Sequence, residues 1–153
     1  MTHATRIVAA VAVLVALAAG GPVQAQDEAD AWRERAEQGD ADAQYTLGVM
    51  YATGRGVPQN DGEAARWVRL AAEQGFVEAQ GLLGTAYASG QGVPQDDIQA
   101  HMWLTLAAAR TIGQAQGLVV GVRDDVAARM TPEQIAEAQR LAREWDAAHP
   151  RNP

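Results

Sequence analysis

At 153 residues, with 12 basic residues against 19 acidic ones and a formal net charge of −7, the chain has the wrong sign to hold a phosphate backbone or an acidic membrane surface. It contains no lysine and no cysteine, which removes a Walker-type phosphate loop, a Ser-x-x-Lys site, a thiol nucleophile and any disulfide together. The acidity reads as a solubility device, and the length suits one ordinary domain.

In chain order, residues 1–25 read as a cleavable signal peptide. Arg6 supplies the positive start, Ile7 to Ala19 is an unbroken apolar run, and Val23-Gln24-Ala25 offers small residues at a cleavage site. A membrane span needs about 20 apolar residues, and this run has 13. Removal would leave Gln26 to Pro153 as an exported chain, periplasmic or secreted, with no membrane insertion.

Asp27 to Gln38 is expected to form a helix, with Ala31, Trp32 and Ala36 on one side and Gly39 as its stop. Its Ala36-Glu37-Gln38-Gly39 matches Ala72-Glu73-Gln74-Gly75 at an offset of 36 residues. That makes it the second half of an incomplete unit, placed to cap a stack.

The next two stretches are one block written twice. Residues 41–76 laid over 77–112 without a gap share 17 identities, including Leu47-Gly48, Tyr51-Ala52, Gly54, Gly56-Val57-Pro58-Gln59 and Trp67 with their counterparts Leu83-Gly84, Tyr87-Ala88, Gly90, Gly92-Val93-Pro94-Gln95 and Trp103. A fixed period of this length marks a stacked repeat, whose unit cannot bury its apolar face without a neighbour. Each block predicts two helices. The first opens at Asp40 as N-cap, carries an unexpected interior glycine (Gly48 or Gly84), and ends at Gly54 or Gly90. The interior glycine implies close approach of the paired helix that bears Trp67 or Trp103. The second helix opens with a capping box, Asn60 with Glu63 or Asp96 with Gln99, and buries Ala64, Trp67, Val68, Ala71 and Ala72 or their equivalents.

After Ile112 the repeat frays: the glycine position becomes Val120 and the tyrosine position Arg123. Gln114 to Arg129 is expected as the first helix of a third unit, paired with Pro132 to Ala148. Thr131 and Gln134 give the latter a capping box, and Ile135, Ala138, Leu141, Ala142 and Trp145 its inner face. The domain thus spans 26–148, with full repeats 41–76 and 77–112, a cap at 113–148 and a disordered tail at 149–153.

Residues able to carry chemistry are scarce. Ser89 is the one serine and has no nucleophile elbow around it. His101 takes the place of Ala65 and reads as a solvated or rim residue; His149 lies in the tail. No His-Glu-x-x-His occurs, the Gly-x-Gly loops follow helices rather than strands, and the neighbouring acids Asp96-Asp97 and Asp124-Asp125 point apart on a helix. No metal, cofactor or catalytic residue is assigned.

The pattern Leu-Gly-x-x-Tyr-x-x-Gly-x-Gly-Val, followed by Asn or Asp, Ala, Trp and Ala-Ala, resembles the Sel-one-like repeat, a relative of the tetratricopeptide repeat. The resemblance implies an all-α fold, a right-handed α/α solenoid of antiparallel helix pairs that acts as adaptor or scaffold for other proteins. The fold transfers an interaction role and not a reaction. The concave side, lined by the first helix of each pair, then becomes the expected binding surface. Its positions free of Leu/Gly/Tyr packing are Asp42, Tyr45, Val49, Glu78 and Thr85. The expected partner is a protein or peptide, with two alternatives open: a cell-wall-acting enzyme or its accessory subunit, and self-association.

Overall fold

The computed structural model describes residues 21–150. The apolar core of the expected signal peptide, and residues 151–153 of the expected tail, lie outside the described residues. Among the described residues seven helices follow one another: α1 (Pro22–Glu37), α2 (Ala41–Thr53), α3 (Asp61–Glu73), α4 (Val77–Ser89), α5 (Asp97–Ala108), α6 (Gly113–Ala127) and α7 (Pro132–Ala148). Among the described residues there is no strand. Each helix from α1 to α5 packs on the next, which makes the all-α repeat solenoid. Helix α1 starts earlier than expected, since Pro22, whose fixed φ suits a first turn, opens it.

The repeat is built on backbone proximity. A Cβ on Gly48 would stand 2.6 Å from Val68 Cγ2, and one on Gly84 would stand 2.7 Å from Leu104 Cγ. The interior glycines therefore let α2 meet α3, and α4 meet α5, at closer than side-chain distance. Their partners are Val68 and Leu104, one residue beyond the tryptophans expected there. Trp67 packs with Ala36, Ala43 and Leu47, and Trp103 with Ala72, Ala79 and Leu83. These two sets lie 36 residues apart, so the indoles are equivalent wedges between successive units. Both are buried, at 6% and 5% exposure.

Two polar devices hold the units in register. Gln44, Gln80 and Gln116 donate Nε2–H to the carbonyls of Ala36, Ala72 and Ala108, at 3.2, 3.2 and 3.1 Å. Each ties its unit to the last turn of the preceding helix; the Ala36 and Ala72 carbonyls also accept from the Gly39 and Gly75 N–H groups, so the glutamine is their second donor. The N-caps supply the other device: Asp40, Asn60, Asp96 and Thr131 accept from the backbone N–H three residues on. Only Thr131 and Gln134 complete a reciprocal capping box. At Asn60 the expected box stays half made, because the Glu63 carboxylate turns to Arg66 at 2.8 Å.

The third unit departs from the expected pairing. Helix α7 packs on α5 and not chiefly on α6. Close pairing needs a glycine on the first helix and an aliphatic residue eight positions after the N-cap of the second, as Val68 stands to Asn60 and Leu104 to Asp96. In the third unit these positions hold Val120 and Gln139. With neither present, α7 slides onto the outer face of α5 and covers Leu106, which is 4% exposed. The counterpart Leu70, with no helix over it, is 37% exposed. Arg129 anchors the end of α6 instead, pairing with Asp97 at 2.7 Å and donating to the Ala88 carbonyl at 2.7 Å.

Candidate functional site

Displacement of α7 leaves α6 thinly covered: Val126 is its one buried residue. Between α4 and α6 lies an open groove of about 660 Å³. Val77, Leu82 and Thr85 of α4 form one wall, Ala115, Leu118, Val119 and Val122 of α6 the other, and Leu104 lines its floor. Gly81 lies at its base, where a Cβ would make only ordinary contact with Ala107 and Val119. Ile112 at the mouth is 87% exposed and Leu118 is 73% exposed. Single exposed aliphatics are unremarkable, but two beside an apolar groove form a patch of the kind that marks an interaction surface.

The sequence-predicted residues divide between two places. Glu78 and Thr85 line the groove. Asp42, Tyr45 and Val49 stand one unit earlier on α2, where Tyr45 and Val49 share a smaller hollow of about 190 Å³ with Glu28 and Arg55. Tyr45 rests its ring on Phe76 at 5.2 Å, and its hydroxyl pKa is raised by burial and then by the Glu78 charge. That coupling places Glu78 beside the seam between the two sites. Asp42 is exposed and 3.9 Å from Arg35, which is already held by Asp40 at 2.6 Å.

A third hollow of about 70 Å³ lies on the other flank of α4 and shares Leu82 and Thr85 with the groove. Asp61 opens into it, and its Oδ1 is buried with no hydrogen-bond partner. In the next unit the equivalent Asp97 is bound by Arg129, which lowers its pKa.

The sequence reading missed Leu82, Ile112, Leu118 and Val119. A signal was present: the series Thr46, Leu82, Leu118 at the repeat spacing turns aliphatic along the chain, although nothing in the packing rule of the repeat requires it.

His101 corrects an expectation. It is buried, at 5% exposure, with Nδ1 3.4 Å from Thr105 Oγ1. Burial pushes its imidazole pKa below the usual value; the Arg123 guanidinium adds to this and Asp124 opposes it. A base whose folded pKa is depressed gives stability that is present above the unfolded value, about 6.5, and is lost as pH falls through it. The urea midpoint should therefore drop between about pH 7 and about pH 5, and His101→Gln should flatten that slope. An unchanged slope in the variant would refute the assignment.

Ser89 donates its hydroxyl to the Thr85 carbonyl at 3.1 Å and faces water. Among the described residues no group of three or more His, Cys, Asp or Glu side chains could hold a metal ion, and no helix is long and apolar enough to cross a membrane.

Comparison with known proteins gives the arrangement its relatives. The Sel1 repeat family matches residues 41–76 and 77–111. Among solved structures, the chain is similar to c5321, a protective antigen present in uropathogenic Escherichia coli strains and displaying an SLR fold. The two share 28% identity at a TM-score of 0.77, over 89% of this chain and 28% of that one. A Sel1 repeat protein from Oxalobacter formigenes matches at 28% identity and a TM-score of 0.58, over 81% of this chain and 40% of that one. The chain thus spans less than half the length of either structure. No curated protein matches it.

Proposed function

This chain belongs to the Sel1 repeat family, and from that premise we propose that it is a non-enzymatic docking module for another protein or peptide. Sel1 repeat proteins are generally helical scaffolds for protein interaction. The observation that carries the reading to this chain is the groove between α4 and α6. It is concave, apolar and edged by Ile112 and Leu118, which the fold leaves in water. Helix α2 extends the surface with Asp42, Tyr45 and Val49. The place of action is the cell envelope, a reading supported by the signal-peptide pattern of residues 1–25.

The lack of cysteine makes a direct test available. A single Thr85→Cys, carrying a thiol-linked photoreactive group, should give a defined adduct in intact cells. Glu34→Cys, on the exposed side of α1, should not. Equal adducts from both positions would remove the groove from the proposal. The intact mass of protein from the envelope fraction should correspond to a chain beginning at Gln26; an unprocessed mass would remove the placement.

A further inference from the structure

Of the two charged residues that line the groove, one is unpaired and one is held. Glu78 lines its wall, and among the described residues its carboxylate makes no ion pair. Arg110 also lines it, but its charge is held elsewhere: Nη2 pairs with Asp146 at 2.7 Å and the guanidinium stacks over the Trp145 ring at 5.0 Å, which leaves its buried Nε without an acceptor. Across α4, Asp61 holds a buried oxygen with no donor. A carboxylate oxygen that finds no donor in the chain is one that a cationic group from outside would stabilise. An acidic segment laid here would meet two uncompensated carboxylates and be rejected.

We infer that the surface takes a partner segment in which an aliphatic or aromatic anchor is flanked by arginine or lysine. The inference rests on the docking reading above and specifies its partner. The anchor enters the groove against Leu82, Leu118 and Val119, and the basic groups reach Glu78 and Asp61. Glu78 and Thr85 are two turns apart on α4, about 10 Å along its axis. Asp61 lies at the Thr85 end, since it shares the small hollow with Thr85 and Ala86. Basic residues about three apart in an extended segment, or seven apart in a helix, would span that separation.

The test is selection of random 12-residue peptides displayed on phage against the purified exported protein, followed by fluorescence anisotropy of the enriched sequences. Enriched peptides should carry an apolar anchor with at least one arginine or lysine. Glu78→Gln and Asp61→Asn should each weaken them about 5- to 10-fold, and Leu118→Glu more than about 10-fold. Helical circular dichroism should be unchanged, because the Glu78 and Leu118 side chains are exposed. Peptides without basic residues, or affinities that respond to Leu118→Glu but to neither acid variant, would overturn the charge inference and leave the groove standing. No enrichment, indifference to Leu118→Glu, or a second copy of the chain filling the groove in ultracentrifugation would overturn both.

Discussion

Gly92→Ala should cost about 4 kcal/mol or more, an exceptional loss for adding one methyl group. Gly92 has φ +73°, and a Cβ there would fall inside the Asp61 carbonyl oxygen and carbon, with the Gly62 nitrogen 3.2 Å away. Those atoms are backbone at the start of α3, so no rotamer change relieves the collision. Gly56 repeats the arrangement one unit earlier in the unprocessed chain, at φ +71° against the Ala25 carbonyl, a contact that cleavage before Gln26 would remove. The second glycine of each Gly-x-Gly loop is thus the point where a unit sits down on its predecessor. Gly113→Ala isolates the other component. At φ +69° with nothing within 4 Å, it carries the left-handed strain alone, about 1–2 kcal/mol. Urea unfolding followed at 222 nm reads both variants. If the two fall within about 1 kcal/mol of each other, the loop is not seated on α3 as described.

That seating shows where sequence reasoning reaches and where it stops. A period of 36 residues announces a stack, and glycine inside a predicted helix announces close approach, because no other residue tolerates it. The Gly48 and Gly84 contacts were therefore foreseeable in kind. That they fall on Val68 and Leu104 was not, since a one-residue turn of a helix leaves the periodic pattern unchanged. The glutamine ladder was visible as Gln44, Gln80 and Gln116, but a buried glutamine has no reading until its carbonyl partner is placed. The docking of α7 was harder. Its caps and apolar stripe specify a helix with one inner face, and they fit α5 and α6 equally as a seat. What decides is the pair Val120 and Gln139, which prevents close approach to α6.

The groove follows from that decision, which explains why only part of it was legible. Glu78 and Thr85 were picked as positions the repeat does not need for packing, and both line the groove. Leu118 holds the surface position that Leu82 holds one unit earlier, and neither it nor Ile112 belongs to the packing rule of the repeat, so a reading built on that rule passes over both. From sequence Tyr45 reads as a free contact, whereas its ring already packs on Phe76. His101 was placed at the rim by analogy with Ala65, but helix α6, carrying Arg123 and Asp124, closes over it.

Trp103→Ala should cost about 3–5 kcal/mol and should unfold the chain as a whole, while Trp67→Ala, equally buried, should release one end. Trp67 joins α3 to Trp32 and Ala36 of α1 and to the inner face of α2. Its loss removes contacts from the terminal helix, and in a stack held by nearest neighbours the remaining units keep their own interfaces. Trp103 lies in the cluster that joins α3, α4, α5 and α7, and it meets Trp145 edge-on at 5.9 Å. Removing it leaves Ala138 and Ala142 without the wall they pack on, and forfeits the aromatic pair, worth about 0.5–1.5 kcal/mol beyond its buried area. Native-state hydrogen exchange separates the two outcomes. In Trp67→Ala the α1 amides should exchange by local opening, with those of α4 and α5 still protected to the global limit. In Trp103→Ala protection should fall together from α3 to α7. A local pattern in both variants would mean that α7 is an appendage, and the groove beside it would lose the rigid floor that makes it a seat for a partner.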